Sequence, residues 1–303
     1  MSTALPAGVK ATTGGRFDRD APRAYFISGE PERVESTQHA HVLVAVNEVK
    51  SGKHVDTLER LCDDESRTVL LDSGIFNLTM GHARAHGLTM DEVLKLHPSE
   101  LDGWDSLLDR YLGLVVRFGD RLWGFIELDL GGATVKRETR AMIERETGRV
   151  PMPVYHPFLD GWDYFDELAQ GYDRLCSANL VKAAAPIRLR LIHTAYERAR
   201  AYPYLWQHLL GVFPNENLLG LPMRGSFDSS SWVTSLRWMP SWRAWSNLKM
   251  TAHFPPDLWT SKASDASGLS TAGSRDRAEA MTAASAVFVQ STLDALREDT
   301  HPC

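Results

Sequence analysis

The chain has 303 residues, 43% hydrophobic and 24% charged, enough apolar material for one large core or two small ones, and it reads as a globular protein. Its net charge of −6 gives no global attraction to a polyanion, so any nucleic-acid contact must rest on a local basic surface. Three scattered cysteines (Cys62, Cys176, Cys303) exclude a disulfide framework or a Cys-rich zinc cluster, and the lack of an apolar run of roughly 18 residues or of a secretory signal predicts a cytoplasmic protein with no membrane partner.

In chain order, residues 1–20 are small, polar and Gly-rich and read as a disordered leader. Residues 21–250 alternate short apolar runs with helical patterns. The expected strands are Ala24–Ile27, His41–Val46, Thr68–Leu71, Trp123–Asp129, Met152–Tyr155, Arg174–Ser177, Asn217–Leu221 and Gly225–Asp228. Such continuous apolar runs suit parallel strands buried on both faces. Between them, Thr89 and Glu92 form a capping box, and Trp104, Leu107, Leu108, Tyr111, Leu112, Val115 and Val116 make one apolar stripe ending at Gly119. Further helices are expected over Thr134–Glu146, Asp163–Gln170, from Pro186, and over Tyr204–Leu210 after a break at Pro203.

This repetition predicts an α/β fold of the (β/α)₈ TIM barrel kind, with an open doubly wound sheet as the alternative. No glycine-rich phosphate fingerprint follows an early strand, which disfavours the open sheet. Residues 251–303 are expected to add a loop and a C-terminal helix, from Asp276 to about Leu296, packed on the barrel.

Two strands end in an acidic residue beside hydroxyl groups: Val69-Leu70-Leu71-Asp72-Ser73-Gly74 and Gly225-Ser226-Phe227-Asp228-Ser229-Ser230-Ser231-Trp232. An ionised Asp ringed by serine hydroxyls can act as a nucleophile, although a Ser-rich turn capped by Asp228 has the same composition. In barrel order the strand ends present Asp72, Glu127 and Asp129, His156, Ser177 and Asn179, then Asp228. Carboxylates gathered at one rim repel, so at least one is expected to hold its proton near neutrality. A nucleophilic carboxylate paired with an acid/base carboxyl is the equipment for retaining displacement at a sugar carbon. Asp129 rather than Glu127 is expected to point into the pocket.

Leu70-Leu71-Asp72-Ser73-Gly74-Ile75-Phe76 resembles the Asp-Ser-Gly-Gly-Phe strand end of the tRNA-guanine transglycosylases. Ser226-Phe227-Asp228-Ser229-Ser230-Ser231-Trp232 resembles the Asp-Ser-Thr/Ser-Trp signature of their phage and bacterial relatives, the deazaguanine DNA transglycosylases. Phe125-Ile126-Glu127-Leu128-Asp129 with Gly131-Gly132, and Pro151 to Pro157, fall between them in the right order, so the resemblance covers Val69 to Trp232. It implies a barrel that exchanges guanine in a polynucleotide, DNA rather than tRNA, for a 7-deazaguanine base through a covalent Asp-sugar intermediate. Asp228 would be the nucleophile and Asp72 the general acid/base, while Asp129, His156, Ser73, Gly74 and Phe76 would hold the base. It also implies the host cytoplasm if the chain is phage-encoded. The chain departs from the pattern at Ile75, where the family has a second Gly, and at Ser177-Ala178-Asn179, where it has Gly-Gly. The family's Cys-rich zinc site has no counterpart, and no cofactor is expected.

Arg237, Trp238, Arg243 and Lys249, in an Arg/Trp-interleaved stretch, are candidates for phosphate and base contacts, with an amphipathic helix packed under the barrel as the alternative. His82 and His86 stand at a helical i, i+4 spacing suited to a metal, but the sequence shows no third ligand and no metal is expected. His39 and His41 are expected to face solvent. Two other functions use the same features: an N-glycoside hydrolase with the same carboxylates, and a non-catalytic nucleotide-binding barrel.

Overall fold

The computed structural model describes residues 5–14, 23–35, 39–212, 218, 224–230, 241–243 and 251–253. Over them the order is β1 (Arg23–Ser28), α1 (Pro31–Glu35), β2 (His41–Ala45), α2 (Gly52–Asp63), β3 (Thr68–Asp72), α3 (Ile75–His86) and α4 (Met90–Val93). Then come α5 (Trp104–Phe118), β4 (Gly124–Phe125), α6 (Gly132–Thr147), β5 (Val154–Tyr155), α7 (Trp162–Gly171), β6 (Arg174–Ser177), α8 (Ala185–Ala199), β7 (Trp206–Leu209) and β8 (Gly225–Ser229). These eight strands are all parallel and form one curled sheet in the order β4-β3-β2-β1-β8-β7-β6-β5. A separate antiparallel pair, β9 (Ser241–Arg243) and β10 (Thr251–His253), lies in the Arg/Trp stretch, so a continuous helix there is not what the backbone adopts.

The two faces of the sheet follow from strand alternation. On β3, Val69 and Leu71 pack in the large cluster that holds the stripe of α5, whereas Leu70 belongs to a second cluster with Ala24, Phe26, Leu43, Trp123, Ile126, Met152, Val154, Cys176 and Trp206. This second set lines the concave side. Its centre is Phe26, whose ring lies 5.3 Å from that of Trp123 and 5.8 Å from that of His208. Residues two further along the strands, Asp72 above Leu70 and Asp228 level with Phe26, therefore cap an apolar plug at the C-terminal end of the sheet.

The edges β4 and β5 meet only at the Ile126–Met152 bridge, where Met152 N–H donates to Phe125 O (2.8 Å) and Glu127 N–H to Met152 O (3.1 Å). One residue on, a side chain replaces the ladder: Val154 N–H donates to Glu127 Oε1 at 2.6 Å. Arg140 of α6 holds that carboxylate through Nε at 2.6 Å and Nη2 at 3.2 Å. Both members of the pair are buried, and the Tyr164 hydroxyl and Val154 N–H supply the further polar contacts that a buried ion pair needs.

Two expectations are corrected, and a third falls almost wholly outside the described residues. Tyr204–Leu210 is not helical, because α8 ends at Ala199 and Trp206–Leu209 forms β7, paired in parallel with both β6 and β8. Asn217–Leu221 lies outside the described residues except for Leu218, which is helical. Residues 5–14 are docked rather than unpacked. Lys10 bridges to Tyr172, Thr12 donates from N and Oγ1 to Asp173 Oδ1 (2.8 Å each), and Arg174 Nη2 donates to Thr12 O. Thr13 N–H donates to Val150 O, so this strap passes the starts of β6 and β5 under the β4–β5 seam. The expected helix near the C-terminus lies outside the described residues.

Asp173→Ala would leave the buried Thr12 N–H and hydroxyl without an acceptor, at a cost of about 1–3 kcal/mol in chemical denaturation. Removing residues 1–14 should cost a similar amount, and adding Asp173→Ala to the shortened chain should then cost little more. Full additivity would mean that the strap and Asp173 act separately.

Candidate active site

The residues expected to carry chemistry sit where parallel strands end and chain turns begin. After β3, Gly74 adopts φ 78°, and a Cβ there would stand 2.7 Å from Asn47 Oδ1, so glycine is required. That turn points Gly74 N–H at Asp72 Oδ2 (3.2 Å) and starts α3 at Ile75. Ser73 is buried, and its Oγ accepts from Ile75 N–H at 3.4 Å. Ile75 itself packs in the core between sheet and helices, so it does not narrow the pocket. Phe76 is exposed at the rim.

Asp129 and Asp228 act on Asp72. The Asp72 carboxyl is pushed up from 3.8 to about 7, first by burial and then by the negative charges of Asp228 and Asp129; backbone N–H groups of Gly74 and Ser73 oppose the shift. Asp129 is buried, and its Oδ2 accepts from His156 Nε2 at 2.5 Å. On the other side of that ring Asn179 Nδ2 lies 2.7 Å from Nδ1. A donor amide there makes Nδ1 the acceptor and places the imidazole proton on Nε2, facing Asp129. Glu127 and Asp129 would share one face of a regular strand. They part because the strand ends before them, leaving Glu127 with Arg140 and Asp129 with His156.

Asp228 Oδ1 accepts from Gly211 N–H at 2.7 Å. His208, fully buried on β7, brings Nε2 to 3.3 Å from the same oxygen, outside hydrogen-bond geometry. Behind it, Ser226 Oγ lies 2.8 Å from His208 Nδ1 and accepts from Trp206 Nε1 at 2.9 Å. With one lone pair engaged by the indole, the hydroxyl is placed to donate to Nδ1, which puts the imidazole proton on Nε2 toward Asp228. Oδ1 is thus the supported oxygen of Asp228. Sequence reasoning missed His208 and Gly211 because it read β7 as helix, and with β7 it lost the partners of the Ser226 hydroxyl on β8, Trp206 and His208. Phe158, Val181 and Ile187 join Phe76 as exposed apolar side chains on the chain segments that follow β5, β6 and β3.

Arg237, Trp238 and Lys249 lie outside the described residues, and Arg243 is described only as backbone of β9. His39 is buried rather than solvent-facing, and its ring lies 6.0 Å from that of His41.

Between pH 3.8 and about 7 the folded chain keeps a proton on Asp72 that the unfolded chain has released, so raising pH through that window lowers stability. Asp72→Asn removes this penalty. Its stability relative to the parent should therefore rise from about pH 4 to about pH 8, by on the order of a few kcal/mol in urea denaturation. A constant difference across that range would show that Asp72 titrates like an exposed carboxyl. A scan of protein-family models and a search of curated proteins return no match to the chain.

Proposed function

We propose that the chain is a pentosyltransferase that replaces guanine in DNA with a 7-deazaguanine base, working through a covalent Asp-sugar intermediate. The observation that carries this reading is the pairing at one rim of two unlike carboxyls. Asp72 has its ionisation pushed up to about 7, and Asp228 has one oxygen fixed by Gly211 N–H and faced by His208. A proton donor opposite a positioned nucleophile is what displacement at a sugar carbon needs.

In the first half-reaction Asp228 Oδ2 forms a bond to C1′ as the bond from C1′ to the base nitrogen breaks. The electron pair leaves with guanine, and the Asp72 proton moves to that base. In the second, the incoming base attacks C1′, the ester bond to Asp228 breaks, and the proton lost by the new base returns to Asp72. Atoms and charge balance over the cycle, and no further reactant is required. Asp129, with Oδ2 held by His156, offers Oδ1 to the N–H edge of the base. Phe76, Phe158 and Val181 supply apolar surface on which a flipped-out base can rest. The reading also calls for a closed (β/α)₈ barrel, supported by the Ile126–Met152 bridge and by the Glu127 carboxylate that continues the seam. Arg237, Trp238, Arg243 and Lys249 are assigned to the DNA strand on their residue types.

A labelled acceptor base, supplied with guanine-containing DNA, should be incorporated, and a denaturation-resistant protein-DNA adduct should be trapped. Both should vanish in Asp228→Asn. Release of free guanine without incorporation would identify an N-glycoside hydrolase, and binding without turnover a non-catalytic barrel. His208→Gln should lower kcat on the order of 100-fold with little change in KM, because it misplaces the attacking oxygen rather than the bound strand. A pure KM effect would remove His208 from this role.

A further inference from the structure

Helix α3 ends with His82 and His86 one turn apart on the same face, their ring centroids 4.2 Å apart and their planes 35° from parallel. The start of α5 comes against them. Gly103 adopts φ 83° as the N-cap of α5, and a Cβ there would stand 3.2 Å from Leu78 Cδ1 of α3. That close approach sets the preceding residue, Asp102, beside both imidazoles. Its Oδ2 lies 3.5 Å from His82 Nδ1 and 3.1 Å from His86 Nε2, and one donor atom from each residue falls within 4.8 Å of the others.

We propose that His82, His86 and Asp102 form a binding site for a borderline divalent cation, zinc above all, that clips the C-terminal end of α3 to the start of α5. Three independent features support it. The two separations from Asp102 suit the geometry: metal–ligand bonds of about 2.0–2.2 Å at tetrahedral angles put ligand atoms roughly 3.4 Å apart, 3.1 and 3.5 Å bracket that value, and the three donor atoms lie within 4.8 Å of one another. His82 is 9% exposed, and its Nδ1 is buried without a hydrogen-bond partner, a cost that a cation at the focus of the three groups removes. The donor set is also selective, because two imidazoles and one carboxylate suit zinc, cobalt, nickel or copper and do not suit magnesium or calcium.

The site stands open on one side. Asp102 has a side-chain exposure of 81%, so a fourth position would be taken by water. The twelve residues of α3 span about 18 Å, which places this ion a helix length from Asp72 and outside the chemistry proposed above. Its role is to fix the helix whose other end carries the Gly74 turn. The inference is therefore independent of the reaction assigned to the carboxylates.

The test uses the full chain, freed of metal with a chelator and dialysed, then titrated with zinc by calorimetry and with cobalt by visible absorption. One ion per chain, a cobalt d–d spectrum of low coordination number and a zinc-dependent rise in melting temperature are expected. Asp102→Asn, at an exposed position, and His86→Ala, at a half-exposed one, should each weaken binding at least about tenfold and abolish the rise in melting temperature. Absence of binding would overturn the proposal. So would binding left unchanged in both variants, since the ion would then sit elsewhere on the chain.

Discussion

Carboxylates of like charge held at one partly dry rim repel one another, and this sheet brings three of them, Asp72, Asp129 and Asp228, to that position. The structure meets the repulsion unevenly. Asp129 receives His156 at 2.5 Å, and Asp228 receives Gly211 N–H and the nearby His208. Among the described residues Asp72 receives only backbone N–H groups, and it is left to hold a proton near neutrality. The division of labour in the proposed reaction follows from this difference in surroundings, since the side chains themselves are identical.

That rim depends on the layer below it. Phe26, Trp123, Trp206 and their aliphatic neighbours pack together on the concave side of the sheet. Trp206 belongs to both layers, with its rings in the plug and its Nε1–H on Ser226, which in turn meets His208. The β4–β5 seam shows the same economy: Glu127 continues a strand ladder with its side chain and is itself fixed by Arg140 from outside the sheet.

How much of this was legible in the sequence depended on the kind of signal. The helices α4, α5 and α6 could be read because caps, glycine stops and one-sided apolar stripes are local features, and the Thr89–Glu92 capping box forms as expected. Asp72 and Asp228 could be read because an acidic residue closing an apolar strand stands out within five residues. β7 could not. Trp206-Gln207-His208-Leu209 contains no β-branched residue and a single strand-favouring one, Trp206, so the local signal was weak, and tertiary pairing with β6 and β8 decided the matter. Losing β7 lost His208 with it. The strap at residues 5–14 was missed because backbone and hydroxyl hydrogen bonds dock it, and composition does not register these. Asp102 escaped notice as a partner of His82 and His86 because the turn at Gly103, rather than a motif spacing, brings it there.

The departures from the transglycosylase-like pattern can be read as exchanges of one means for another. Asn179 stands where that pattern has glycine, and it is the one non-glycine among the described residues at positive φ, 60°. Asparagine tolerates the left-handed region better than other residues with a side chain, so the turn survives the substitution at modest cost. The exchange gives the site an amide that glycine cannot supply, and this amide sits on His156 Nδ1 and directs the opposite ring nitrogen to Asp129. Under the proposed function, a side chain that orients Asp129 and His156 takes the place of a backbone that would approach the base closely. Ile75 is the converse case, because the turn needs only one glycine, Gly74, and the next side chain points into the core. The pocket is therefore altered at Asn179 and unaltered at Ile75. If the proposed base exchange holds, any difference in the base accepted should trace to the linked groups Asp129, His156 and Asn179.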